Sequence, residues 1–124
     1  MLKERAICYY KKGCNCSQCI LKAAEEEYCL DIPRECCKSC EGIYNGLGIG
    51  SVCSVLIGCI MVIGIVGKDV SFSRLDMTDR FNRKFGSINC GSLKRSPDCC
   101  DIIAGACDIL EDILTGQAKH TKIN

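Results

Sequence analysis

The feature that most constrains this chain is an uncharged run at its middle. Residues 43–67 contain no acidic or basic side chain, and most of the run reads "GLGIGSVCSVLIGCIMVIGIVG". A helix that is apolar on every side is either buried all round or sits in lipid. A spanning helix needs about 20 apolar residues. The first part of the run, "IYNGLGIG", reads as a glycine loop built on Gly42, Gly46, Gly48 and Gly50. The strongly apolar part begins at Ser51 and covers only about 17 residues, near the lower limit for a span. Lys38 and Lys68 flank it on both sides, so charge sets no orientation. The expectation is a central core helix over residues 52–66 and no membrane span. Gly58 and Gly64 would let neighbouring helices approach it closely.

The rest of the chain also reads as helix. A first short helix stops at Gly13. Asn15 is an N-cap candidate. Behind it, Cys16, Cys19, Ile20, Ala23, Ala24 and Tyr28 form an apolar stripe at helical spacing. Pro33 suits the first turn of a further short helix. Ser51 could cap the central helix, and Ser71 or Ser73 starts the next one. There Met77, Phe81 and Phe85 recur every fourth residue, and Gly86 closes it. Ser96-Pro97 opens the last helix. Cys99, Ile102, Ile103, Ala106, Leu110, Ile113 and Leu114 face inward from it, and Asp101, Asp108 and Asp112 face water. The tail after Gly116 is expected to fray. No hairpin signal and no strand–helix alternation appears. The fold expected is all-α: one small domain over residues 1–124, with about five helices around the central apolar one.

Composition removes several function classes. The net charge is +1, which gives no electrostatic case for nucleic acid or an anionic membrane. The lone histidine, His120, leaves no Ser-His, Cys-His or multi-histidine site. Asp76, Asp79 and Asp98 are scattered and form no carboxylate pair. Glu25, Glu26 and Glu27 read as a solvated helix face. "GLGIGS" follows no predicted strand, so a phosphate-cradling loop is not expected.

The outlying number is 14 cysteines in 124 residues. The start, "MLKERAICYYKKG", has no apolar signal region. The expectation is a cytoplasmic chain whose thiols stay reduced unless they are catalytic or hold metal. The doublets Cys36-Cys37 and Cys99-Cys100 fit a disulfide framework poorly. Cys16-x2-Cys19 followed by Cys37-x2-Cys40 matches the spacing of a structural zinc site. A second pattern is positional. Cys16 follows Asn15, Cys53 is the second residue after Ser51, and Cys99 is the third after Ser96. Each would lie in the first turn of a helix, where free amides and the dipole favour thiolate. Thiolate is the form that ligates metal or attacks a disulfide.

The order "GCNCSQCIL", "GSVCSVLIGCIMVIG", "FGSINC" and "CCDIIAGACDIL" resembles the C_GCAxxG_C_C family of redox-active proteins. The resemblance runs from about Cys14 to Leu114. The family's four characteristic cysteines fall at Cys16, Cys53, Cys90 and Cys99. Cys99 is preferred to Cys100 because Ile103 supplies the aliphatic residue expected four positions on. The family's CGAxxG element reads "CSVLIG" here, with Ser54 and Val55 in place of its Gly and Ala. The resemblance implies a redox role for these four cysteines and demotes Cys19, Cys37 and Cys40.

Two chemistries suit four such thiols. They could hold an iron–sulfur cluster, most simply [2Fe-2S], for electron transfer or redox sensing. Amides of the 46–50 loop would then approach the sulfurs and raise the potential. Alternatively the cysteines cycle between dithiol and disulfide without a cofactor, with Cys53 or Cys16 as attacker. A zinc module of Cys16, Cys19, Cys37 and Cys40 that binds a protein partner is the third reading. The expected partner is a redox protein of unspecified identity, with homo-oligomerisation left open. Cys8, Cys29, Cys36, Cys59 and Cys107 are expected to pack the core.

Overall fold

A computed structural model describes residues 1–93 and 99–123, with side chains as far as Gly116. The expected Ser96-Pro97 cap, Asp98 and the His120 side chain lie outside that description.

The domain is all-α. Six α-helices follow one another: α1 (Leu2–Lys11), α2 (Cys16–Glu27), α3 (Arg34–Ser39), α4 (Ser54–Val66), α5 (Val70–Phe85) and α6 (Cys100–Ile123). Short 3-10 turns at Cys40–Ile43 and Cys90–Ser92, and a wide turn at Gly46–Gly50, connect them. Among the described residues the only extended pairing is an isolated antiparallel bridge between Val52 and Asn89.

Local chemistry explains the boundaries. Asn15 Oδ1 accepts from the amides of Ser17 at 3.2 Å and Gln18 at 2.9 Å, and Gln18 Oε1 accepts from the Asn15 amide at 3.1 Å. This reciprocal cap satisfies orphan donors at the start of α2. Gly67 (φ 77°) and Gly86 (φ 82°) end α4 and α5 in the left-handed conformation, which glycine reaches without a Cβ penalty. α5 begins at Val70 behind a left-handed Asp69 (φ 49°), ahead of both serines expected to cap it.

α2 packs against α1 and α4, while α6 packs against α1, α4 and α5. The stripe on α2 is buried as expected, and Met77 and Phe81 are fully buried on α5. The Phe81 and Phe85 rings stack at 4.7 Å between centroids. α4 is not buried all round. Val55, Leu56, Cys59, Val62 and Ile63 fill the core, but Ile65 is 40% exposed. The helix lies against the bundle on one broad face, and its apolar outer residues mark its second half. Among the described residues no helix is long and apolar enough to cross a membrane.

The two glycines of α4 differ. A Cβ on Gly58 would lie 3.1 Å from Ser17 Cα, so this glycine sets the distance between α2 and α4. A Cβ on Gly64 would meet nothing within 4 Å. The close approach expected at Gly64 is therefore absent, because α4 has by then left the face of α2.

Candidate four-cysteine redox site

The four cysteines arrive from four separate segments. Cys16 is the first residue of α2, directly behind the Asn15 cap, and is 6% exposed. Cys53 sits two positions earlier relative to its helix than expected. α4 begins at Ser54, so Cys53 itself is the N-cap, with φ −61° and ψ 129°. Ser51 instead turns away to bond the neighbouring segment: the Cys90 amide donates to its carbonyl at 2.7 Å. Cys99 likewise precedes its helix. α6 starts at Cys100, and the Ile103 amide donates to the Cys99 carbonyl at 2.9 Å, the pattern of an N-cap residue. Cys90 opens the 3-10 turn Cys90–Ser92 and is 5% exposed.

A backbone clasp holds Cys53 and Cys90 side by side. The Cys53 amide donates to the Ile88 carbonyl at 2.8 Å, next to the Val52–Asn89 bridge. The glycine loop closes over Cys90. A Cβ on Gly46 (φ 61°) would stand 2.6 Å from both the amide nitrogen and the carbonyl oxygen of Ser51, and 3.0 Å from Cys90 Cβ. Gly50 and Gly91 face each other, and a Cβ on Gly50 would lie 3.3 Å from Gly91 Cα. Glycine is thus required where the two strands of chain touch. The loop's role in the site is close backbone contact around Cys90. The Cys90 thiol donates to Asn45 Oδ1 at 3.7 Å.

Two of the four thiols are in contact, and the other two are linked to them electrostatically. Cys16 and Cys99 are hydrogen-bonded through their side chains, and Cys53 is the next thiol to act on Cys16. Cys53 in turn feels Cys90 and Cys99. Burial pushes the Cys16 thiol up to about 12, with Cys99 acting in the same direction, while a hydrogen bond to the Ser54 side chain pulls it down. Burial also raises the Cys53 thiol. The amides of Val55 and Leu56 act against that rise, as the first turn of a helix does for thiolate. That Cys53 side chain closes no cap hydrogen bond by distance and angle. The amides therefore act on the anion more than on the resting thiol.

Three polar residues at the site carry no signal in the cysteine pattern. Tyr10, on α1, places its hydroxyl 3.5 Å from the Cys99 amide nitrogen. Ser54 is adjacent to Cys53 in sequence, yet bonds Cys16. Asn45 receives Cys90 from a left-handed backbone (φ 60°). Ser54 was visible as a departure from the family's glycine. Tyr10 was not, since nothing in sequence ties α1 to the start of α6.

Eight of the ten remaining cysteines divide into three groups, while Cys14 and Cys100 are half-buried. Cys19, Cys59 and Cys107 are fully buried, as core packing requires. Burial drives each of their thiols upward. Cys37 and Cys40 stand beside each other, with Cys36 close by, and a hydrogen bond joins Cys40 to Ser17. Cys16 and Cys19 have other neighbours, namely Cys99, Cys53, Cys107 and Cys14. Cys8 and Cys29 are exposed, which corrects their expected place in the core. Cys8 lies on the outer face of α1, and Cys29 takes a left-handed turn (φ 55°) just past α2. Among the described residues no three His, Cys, Asp or Glu side chains are placed to hold a single metal ion.

Comparison with protein families matches residues 14–113 to the family described as "Putative redox-active protein (C_GCAxxG_C_C)". That match spans most of the chain, and the chain belongs to this family. No curated protein and no solved structure matches it.

Proposed function

We propose that Cys16, Cys53, Cys90 and Cys99 act as one redox centre that holds an iron–sulfur cluster, most simply [2Fe-2S], for electron transfer or redox sensing. The observation that carries this reading is the convergence of four thiols, with Cys16 in contact with Cys99 and Cys53 acted on by Cys90 and Cys99. A two-iron cluster takes four cysteine thiolates, two on each iron, so donor type and number both fit. When bound, the cluster supplies a one-electron couple. The chain does the rest. Burial of Cys16, Cys53 and Cys90 keeps water from the sulfurs. Amides of Val55 and Leu56 face the Cys53 sulfur, and the Ser54 side chain bonds that of Cys16. Donors placed in this way around a cluster's sulfurs raise its reduction potential. The setting we propose is a reducing cytoplasm, with another redox protein as electron partner.

A second reading is a cofactor-free dithiol–disulfide couple. The hydrogen-bonded contact between the Cys16 and Cys99 side chains favours it, because two thiols in contact need little movement to join.

Protein purified without oxygen separates the two. Iron, acid-labile sulfide and zinc are counted per chain and the visible spectrum is recorded. About two irons and two sulfides, lost in Cys53→Ser and Cys90→Ser, support the cluster. Absence of metal, with one disulfide joining Cys16 and Cys99 across a redox titration, supports the second reading. Zinc that survives both substitutions would overturn both.

A further inference from the structure

A cavity of about 820 Å³ opens on the side of the bundle where α1 ends, α2 begins and α3 crosses. Lys12, Lys22, Arg34 and Lys38 line it, against the carboxylates of Glu35 and Glu41. Among the described residues none of these four cations forms an ion pair; the pairs elsewhere use Lys3, Arg5, Arg80 and Arg83. Lys12 and Lys22 are gathered over one ring, with their ammonium groups 5.7 and 5.8 Å from the centre of Tyr9. The lining thus carries four cations against two carboxylates.

Two thiols stand in the lining, Cys14 and Cys37. Cys37 is half-buried and faces the cavity. Its neighbour Cys40, three residues on, is 1% exposed. The chain passes from α3 to a 3-10 turn between them, at Ser39. One thiol of a Cys-x2-Cys pair therefore meets the cavity, and the other is buried outside its lining. That is the arrangement of an attacking and a resolving cysteine.

We infer that Cys37 and Cys40 form a second redox-active dithiol, serving a cavity that takes small anionic disulfides. The Cys37 thiolate attacks one sulfur of the bound disulfide, and the S–S bond of the ligand breaks. The first ligand thiolate leaves and takes up a proton, and Cys37 is left in a mixed disulfide. Cys40 then loses its proton, attacks the Cys37 sulfur and expels the second ligand thiolate. The dithiol has been oxidised to a Cys37–Cys40 disulfide, and the ligand disulfide has been reduced to two thiols. An excess of the ligand thiol runs the same steps backwards. Carboxylates on the ligand would pair with the lysines, and the departing thiolate would leave into positive potential. Burial pushes the Cys37 thiol up, Cys40 adds to this, and Lys22 acts against both. Lys22 is therefore the cation whose loss should cost most. This site does not depend on whether the four-cysteine centre holds a cluster.

The test uses the full reduced chain and two probes. One is dithiobis-nitrobenzoate, an aromatic disulfide with two carboxylates, and the other is the neutral dithiodipyridine. Each is added at less than one per chain, and peptide mass mapping follows every cysteine separately. The dianionic probe should produce a Cys37–Cys40 disulfide and release two ligand thiols. Cys40→Ser should stop at a mixed disulfide on Cys37, with one thiol released. Lys22→Gln combined with Lys38→Gln should slow the dianionic probe at Cys37 about tenfold and leave the neutral one within about twofold, as loss of attraction predicts. The charge variants lie on the surface and keep the test valid if Cys40→Ser folds poorly. The inference is overturned if both probes slow alike. It is also overturned if Cys37 favours the dianionic probe no more than exposed Cys8 and Cys29 do.

Discussion

The Tyr10 hydroxyl lies 3.5 Å from the Cys99 amide nitrogen, linking the end of α1 to the start of α6 at the edge of the thiol site. The amide donates to the tyrosine oxygen, so the tyrosine proton is left to donate in turn. It reaches the Cys99 side chain, with which Tyr10 is also hydrogen-bonded. A chain of contacts runs from Tyr10 through Cys99 and Cys16 to Ser54. Polar donors at both ends of a thiol pair stabilise its more negative state.

Tyr10→Phe should therefore lower the reduction potential of the centre. Removing one donor to sulfur is expected to shift the equilibrium about tenfold, or about 59 mV for a one-electron cluster couple and about 30 mV for a two-electron dithiol couple. The stability cost should be about 1 kcal/mol, as for one hydrogen bond. Midpoint potentials of both proteins at equal pH provide the measurement. An unchanged potential with reduced stability would make Tyr10 a packing residue only.

The loop over Cys90 offers a comparison between two glycines with the same backbone need. Gly46 and Gly48 both have positive φ, at 61° and 78°. A Cβ on Gly48 meets nothing, whereas one on Gly46 strikes the Ser51 backbone and nears Cys90. Gly48→Ala should cost about 1–2 kcal/mol for the left-handed conformation alone. Gly46→Ala should cost about 1–3 kcal/mol more through overpacking. It should also speed alkylation of Cys90, since the clasp must open. Urea unfolding and residue-resolved alkylation measure the two effects.

Sequence reading reached the helices because most of their signals are local. The Asn15 cap, the stops at Gly13 and Gly86 and the stripe on α2 each lie within a few residues of what they determine. It also named the four cysteines as a set, though only the resemblance included Cys90, which starts no long helix. The errors share one cause. Ser51 was read as a cap because serine often is one, but its carbonyl is taken by the Cys90 amide from 39 positions away in the chain. Contacts of that separation also hid Tyr10 and Asn45. Cys8 and Cys29 were assigned to the core by residue type, yet helix phase and a left-handed turn put them outside.

The contact between α2 and α4 yields a prediction of opposite signs at two glycines of one helix. Gly58→Ala would push a methyl to 3.1 Å from Ser17 Cα and 3.3 Å from the Ser17 carbonyl oxygen, both backbone atoms that cannot swing away. It should destabilise by about 1–3 kcal/mol and separate Cys16 from Cys53, which ride on the two helices. Gly64→Ala has open space and an ordinary helical backbone. It should stabilise by about 0.5–1 kcal/mol through helix propensity. Chemical denaturation of the two variants decides the matter, and equal effects would refute the packing argument.

The buried thiols set how the reduced, metal-free protein responds to alkali. Burial pushes Cys107 up to about 12, with Asp108 and Glu111 acting in the same direction, and Cys16 is also raised to about 12. In the unfolded chain such thiols ionise near 8.5. At neutral pH both states are protonated, so this linkage has no effect there. Between about pH 8.5 and 12 the unfolded chain has lost protons that the folded one keeps, and stability falls as pH rises. Each such thiol contributes a slope of about 1.4 kcal/mol per pH unit in that window. Cys107→Ala should lower stability at pH 7, where it leaves a small cavity, yet flatten the alkaline decline by about one thiol's share. Urea midpoints measured from about pH 7 to 10.5 give both quantities, and an unchanged slope in Cys107→Ala would show that this thiol ionises in the folded state as readily as in the unfolded one.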